Sequence, residues 1–176
     1  MTPAPQKPEP ASSRPRMFGG HLEPVRLPWK WAEAQLVAAR AYWLATTRAD
    51  GQPYTRPVWG IWLEAVLYLS IGSPLAAQNL ARTPAATVHL ESGAKVVILE
   101  GAAEAVTDPS LVEHIIPAYE AKYQWKWLPN DRLYAFRPQV GFGWLSAEDG
   151  LDGGSVFLGT ATRWIFPHGP QREAQP

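Results

Sequence analysis

The stretch from Tyr42 to Leu80 constrains the fold more than any other part of this chain. It begins Tyr-Trp-Leu-Ala-Thr-Thr-Arg-Ala, an apolar run with β-branched residues, and reaches a turn signal at Asp50-Gly51. Tyr54 to Trp62 is then the partner strand, with a bend expected at Gly60. Val66 to Ile71 reads as a third strand, and it runs into Ser73-Pro74. Ser is a good helix N-cap and Pro is favoured at the first helical position, so a helix is predicted from there to about Arg82. A hairpin followed by a third strand and a short helix suggests a barrel rather than a parallel sheet. It lacks the regular strand–helix alternation of a doubly wound parallel sheet.

The flanking segments extend this pattern. Pro28 opens a helix predicted to run to about Ala41, with Trp29, Ala32, Leu36 and Ala39 on one face. Ala86–Glu91 and Lys95–Val106 read as strands joined at Ser92-Gly93. In the second of these, Val97, Leu99 and Ala103 alternate with the solvated carboxylates of Glu100 and Glu104. Asp108-Pro109 starts another helix, with Leu111, Ile115, Tyr119 and Lys122 on one face and a kink expected at Pro117. Arg132–Phe136 and Val140–Leu145 read as two further strands. A Gly-rich loop from Asp149 to Ser155 leads to a last extended piece, Thr162–Phe166. About six strands with three helices predict a mainly β fold, a barrel with flanking helices.

The 176 residues suffice for one domain, assigned to 28–167. Residues 1–27 carry Pro3, Pro5, Pro8, Pro10, Pro15 and Pro24, which predicts a disordered arm without a ladder, draping near Met17-Phe18. On that reading, deleting Met1–Pro15 has little effect on stability. Residues 168–176 are a polar tail.

Composition excludes several classes of function. Lys plus Arg equals Asp plus Glu at 16 each, so no long-range attraction to nucleic acid or to an anionic membrane is expected. With no cysteine there is no disulfide, thiolate metal site or Cys nucleophile. No apolar run has the length of a membrane span, and the N-terminus lacks a signal-peptide core. A cytoplasmic protein is expected. His21, His89, His114 and His168 show no metal-ligand spacing, and no metal site is predicted. No G-x-S-x-G, GxGxxG or P-loop occurs. What remains is the helix start at Ser73, whose free N–H groups and dipole suit an anion. Nine tryptophans add buried area, and one or two of them are candidates to flank a flat ligand.

The order and spacing of several pieces together carry a resemblance. They are Tyr42-Trp43-Leu44-Ala45-Thr46, Arg56-Pro57-Val58-Trp59-Gly60, Gln78-Asn79-Leu80, Val88-His89-Leu90-Glu91-Ser92-Gly93, Val97-Ile98-Leu99-Glu100-Gly101 and Ala161-Thr162-Arg163-Trp164. From Trp29 to Phe166 the chain resembles the pyridoxamine 5'-phosphate oxidase-like, FMN-binding split-barrel family, which includes deazaflavin-dependent reductases. The resemblance implies a split β-barrel homodimer acting on a small organic substrate by hydride transfer, with FMN or a deazaflavin at the subunit interface. It places Thr55, Arg56, Pro57 and Val58 along the ring, and Ser70, Ile71 and Ser73 at ring and phosphate. Gln78 and Asn79 lie near the phosphate, and Trp164 contacts the partner subunit. Exposed faces bearing Trp59, Trp62, Trp125, Trp127 and Trp144 agree with a dimer.

One departure matters. The family commonly shows Ser-x-Lys-x-Arg-Asn-Leu at this helix, and here Ala76 and Gln78 stand at the two basic positions. Losing two charge-assisted contacts to a phosphate weakens binding by roughly 10²–10⁴. Arg56, Arg48 or Lys95 is then required to compensate, and Ala76→Lys is expected to restore affinity. Without compensation, the alternative is a non-catalytic ligand-binding barrel with no cofactor.

Overall fold

The computed structural model describes residues 9–15, 25–128, 131–147 and 155–167. Their elements are β1 (Ala11–Ser13), α1 (Trp29–Ala38), β2 (Tyr42–Thr47), β3 (Pro53–Leu63), β4 (Val66–Ser70), α2 (Pro74–Arg82), β5 (Ala85–His89), β6 (Lys95–Ala105), α3 (Pro109–Tyr123), β7 (Leu133–Leu145), α4 (Ser155–Thr160) and β8 (Thr162–Ile165). Strands β7, β4, β3, β2, β5 and β6 are neighbours in that order, all antiparallel, and β6 pairs back onto β7 to close a six-stranded barrel. Closure removes the free edges that an open sheet would leave. The fold is the split β-barrel with flanking helices.

The local reasons are visible in the first hairpin. Gly51 has φ +83, Gln52 N–H donates to Asp50 Oδ1 at 3.1 Å, and β2 pairs β3 in register from Thr47↔Pro53 to Tyr42↔Val58. From Trp59 onward β3 has left β2 and pairs β4. The bend expected at Gly60 is therefore a change of partner within one continuous strand. A Cβ at Gly60 would meet the Tyr68 carbonyl oxygen at 2.6 Å, so the close approach of β4 needs glycine there.

Two apolar layers hold the barrel. The interior contains Tyr42, Leu44, Leu67, Leu69, Val88, Val97, Leu99, Phe136 and Trp164. Helix α1 adds Trp29, Ala32 and Leu36, the face read from the sequence, although the helix stops at Ala38 rather than Ala41. Trp29 is central: its ring lies 5.8 Å from Trp62, 5.4 Å from Trp164 and 4.9 Å from Phe166. Each such pair adds about 0.5–1.5 kcal/mol beyond burial. A second cluster joins Ile115, Tyr119 and Tyr123 of α3 to Ile61, Tyr68, Leu133 and Ala135 of the barrel strands. Trp62 is thus consumed inside one subunit, whereas Trp59 and Trp125 stay exposed.

Three expectations need correction. The predicted pair of strands on either side of Pro138 is a single strand, β7. Glu100 pairs Val140 and Gly101 pairs Pro138, so a bulge leaves Gln139 as the extra residue and accommodates Pro138, which has no N–H to give the ladder. A short helix, α4, follows the Gly-rich segment, whose own residues up to 154 lie outside the described ones, as do Met17-Phe18, His21, His168 and the tail. Finally, the Pro-rich arm does make a ladder. Residues Ala11, Ser12 and Ser13 pair with Ile165, Trp164 and Arg163, Pro10 is buried, and Arg26 Nη1 donates to the Ser12 carbonyl at 2.9 Å. Deleting Met1–Pro15 therefore removes the outer partner of β8. The expected result is a Tm lowered by roughly 3–6 °C, from about 1–2 kcal/mol of lost pairing. An unchanged melting curve would show that β1 adds nothing. Among the described residues no helix is long and apolar enough to cross a membrane.

Candidate functional site

A cavity of about 300 Å³ opens where β3 exchanges β2 for β4. It is lined by Arg56, Pro57, Val58 and Trp59 of β3, Ser70 at the end of β4, Gly72, the α2 N-cap Ser73, and Tyr119 of α3. The family resemblance names Arg56, Pro57, Val58, Ser70 and Ser73, and the fold brings these five together at the cavity. Thr55 sits half-buried beside them, its carbonyl accepting from Arg56 Nη1 at 2.8 Å. Ile71 turns into the core, and its N–H donates to the Arg132 carbonyl at 3.2 Å. Gln78 is exposed on α2. Asn79 faces inward, where its Nδ2 donates to Thr46 Oγ1 at 3.1 Å, so it anchors α2 to β2.

Trp164 does not line the cavity. It is fully buried, edge-on to Trp29 and seated over Gly143, where a Cβ would meet the indole at 2.7 Å. As arranged, its side chain offers nothing to a partner subunit, and its role is packing.

The polar end of the cavity is organised by Tyr54. Its hydroxyl shares a 3.0 Å hydrogen bond with Ser73 Oγ, and the guanidiniums of Arg56 and Arg48 lie over its ring at 4.2 and 5.2 Å. Stacking on one ring brings both cations near the start of α2, at a typical cation–π separation. Of the first-turn amides, Pro74 carries no hydrogen and Ala76 donates to Ser73 Oγ at 3.3 Å. This end of the cavity thus carries the positive end of the helix dipole, and Arg56 is the cation among its lining residues. Ala76 is 2% exposed and belongs to the core with Leu80. A lysine there would bury its ammonium, so the expectation that Ala76→Lys restores an anion grip is withdrawn. Exposed Gln78 is the position of the two that can accept a cation.

The other end is aromatic. Tyr119 is pushed up by burial, against which its hydrogen bond to Ser70 acts. The Trp59 indole stacks on Tyr123 at 4.6 Å and 4°. Beneath this stack lies a group that the sequence reading placed only as part of a helix face. Lys122 Nζ donates to Tyr42 OH and to the Gly60 carbonyl, each at 3.0 Å. Tyr123 OH accepts from Gly60 N–H at 2.8 Å and reaches the Arg40 carbonyl at 2.9 Å. Continued in register, Arg40 and Gly60 would face each other two positions beyond Tyr42↔Val58. The Tyr123 hydroxyl is inserted between them, so α3 satisfies the backbone that β3 exposes on leaving β2.

Among the described residues Lys122 has no carboxylate partner. Burial first, and then Arg40, holds its ammonium down to about 8, and burial followed by Tyr123 pushes the Tyr42 phenol up. An unfolded lysine titrates near 10.4. Between about pH 8 and that value, the unfolded chain carries more protons at this group than the folded one, so stability rises with pH. The Tm of the native protein minus that of Lys122→Met should grow from pH 7 to pH 9.5. The free-energy change should be under about 1 kcal/mol, because the group is half-solvated. Parallel pH profiles would mean that Lys122 titrates normally.

His89, met in the sequence as a strand residue, stacks on Trp43 at 4°, and its Nδ1 lies 2.8 Å from the Leu90 carbonyl. Among the described residues no group of His, Asp and Glu could hold a metal ion.

Comparison with known proteins decides the family. The sequence profile of pyridoxamine 5'-phosphate oxidase matches residues 30–145, most of the barrel. The chain belongs to the pyridoxamine 5'-phosphate oxidase family. Among curated proteins nothing matches it. Solved structures share the fold. A conserved hypothetical protein from Mycobacterium tuberculosis is 22% identical with a TM-score of 0.61, over 71% of this chain and 89% of that one. A FAD-binding protein from Mesorhizobium loti is 19% identical with a TM-score of 0.55, over 78% and 93%. An F420 reductase is 22% identical with a TM-score of 0.51, over 62% and 94%. At the α2 start of this chain stand buried Ala76 and exposed Gln78, and the nearby cations come from the β2–β3 hairpin.

Proposed function

We propose that this chain is an oxidoreductase that holds a flavin-type cofactor, FMN or a deazaflavin, along β3 with the phosphate toward Arg56 and Ser73. The observation that carries this reading is the cavity itself. It gathers Arg56, Pro57, Val58, Ser70 and Ser73 in one place and has no carboxylate among its lining residues. Family membership and fold neighbours described as a FAD-binding protein and an F420 reductase support the same cofactor class. The residues present fit such a group: β3 supplies an apolar edge through Pro57 and Val58, and Arg56 supplies charge at one end. The cofactor, when bound, supplies hydride transfer to or from a small organic substrate. The chain's own residues orient it, keep water from its ring and counter its phosphate. No acid–base constellation lies in the cavity, and this chemistry requires none from the protein.

The working form we propose is a homodimer. Trp125 and Leu128 leave 52% and 49% of their surfaces exposed, an apolar area suited to a second copy. Sedimentation at micromolar concentration tests this, and a pure monomer would count against it.

The cofactor is tested by flavin fluorescence titration at low salt. Arg56→Ala should weaken FMN or deazaflavin binding about 30-fold, the worth of one charge-assisted contact of about 2 kcal/mol. Gln78→Arg should strengthen it by adding a cation one turn into α2. If neither substitution moves the affinity threefold, the phosphate is not held here. A colourless protein that ignores both FMN and a deazaflavin would instead favour the non-catalytic binding barrel, the reading that the single lining cation supports.

A further inference from the structure

Trp59 is unusual for a residue within an eleven-residue strand. It keeps 42% of its surface in solvent while its neighbours Val58, Gly60 and Ile61 are buried. It is nonetheless immobilised. One ring face lies flat on Tyr123 at 4.6 Å and 4°. Tyr123 is itself fixed through its hydroxyl to Gly60 N–H and the Arg40 carbonyl. Trp125 stands edge-on to Trp59 at 6.3 Å, and Tyr119 closes the cavity from α3. Exposed indoles on a free surface are rarely held so firmly. A rigid ring that is already ordered loses little entropy when a second ring stacks on it.

Arg56 is the charged side chain among the lining residues, and Asp131 acts on Tyr119 from outside that lining. Among the described residues no carboxylate lines the cavity, and Arg56 lies at its polar end. Behind the wall, Lys122 Nζ and the Arg40 guanidinium sit 5.5 and 5.8 Å from the Tyr123 ring centre.

We propose that Trp59 is the specificity-determining residue of this cavity, the platform on which a planar, conjugated substrate that is uncharged or anionic stacks. This rests on the cavity being the cofactor and substrate site, and it names the substrate class for that site. A saturated ring of equal size cannot match the flat indole face, and a cationic ring meets Arg56 at the lining, with Lys122 and Arg40 behind the Tyr123 ring.

Calorimetric titration of the full-length protein, with and without FMN, tests it with matched probes. These are 2-naphthoate, its saturated analogue decahydronaphthalene-2-carboxylate, and the planar cation N-methylquinolinium. The native protein should bind 2-naphthoate about tenfold more tightly than the saturated analogue, the scale of one aromatic stacking contact. It should bind N-methylquinolinium more weakly than 2-naphthoate by a similar factor. Trp59→Leu should reduce the planar-to-saturated ratio to within about threefold, and Trp59→Phe should preserve it, because a phenyl ring still stacks. Equal affinity of the native protein for the flat and saturated acids overturns the proposal without recourse to any variant, as does no binding of 2-naphthoate. A Trp59→Leu protein that keeps the ratio but no longer sediments as a dimer also overturns it, by assigning the indole to a subunit interface. If FMN fails to bind while the 2-naphthoate preference holds, the platform stands and the cofactor reading alone falls.

Discussion

Replacing Gly101 with Ala should destabilise the barrel by about 3 kcal/mol or more in chemical denaturation, the upper end of what overpacking costs. A Cβ at this position would sit 2.1 Å from the Arg137 carbonyl oxygen and 2.9 Å from Pro138 Cα. Both obstacles are backbone, so no rotamer change relieves them. Gly101 is also where β6 and β7 change register, opposite Pro138, and that pairing is the seam that closes the barrel. Displacing it would disturb pairs on both sides, from Lys95↔Leu145 to Ala105↔Tyr134. Gly93 is the control. It lies in the β5–β6 turn with nothing within 4 Å of an added Cβ, so Gly93→Ala should change stability by less than about 0.5 kcal/mol. Equal effects at the two glycines would mean that the seam tolerates the shift.

Trp164→Ala should cost about 3–5 kcal/mol, the range for truncating a large buried aromatic. The indole is wholly inside the core, edge-on to Trp29 at 5.4 Å, and Gly143 leaves the space it fills. Its strand neighbours are β7 on one side and the arm strand β1 on the other, so the cavity would open between elements that cannot readily collapse. The indole N–H has no acceptor among the described residues. Trp164→Phe therefore removes an unsatisfied donor along with some volume, and should cost about 1–2 kcal/mol. A Trp164→Ala protein that melts like the native one, yet no longer dimerises, would return this residue to the subunit interface.

Much of the path from residues to site is local and was readable. Asp50-Gly51 fixes one hairpin because only a left-handed residue suits that turn, and Ser73-Pro74 fixes the start of α2 because both residues favour helix entry. The next hairpin carries no such signal. Glu64 and Ala65 both take positive φ, 52° and 61°, without Gly or Asn. The strand pairing of β3 with β4 imposes that turn against local preference. Ala76 shows the same limit. Helical spacing alone did not reveal that it faces the core, and a cation placed there by analogy would be buried.

The sequence by itself determined the hairpin from β2 to β3, the helix start that follows, and the apolar faces of α1 and α3. These follow from turn chemistry, capping and side-chain periodicity, which act over a few residues. Arg56, Pro57, Val58, Ser70 and Ser73 became site candidates only through the resemblance to the family, which local rules do not supply. Only the tertiary structure decided that the Pro-rich arm pairs with β8, that β7 runs through Pro138, and that Tyr119 closes the cavity opposite β3. It also decided that Lys122 and Tyr123 complete the backbone of Gly60. The physical reason is the same in each case. Unpaired backbone groups and exposed aromatic faces must find partners, and which distant residue supplies them depends on how the barrel closes rather than on any local preference.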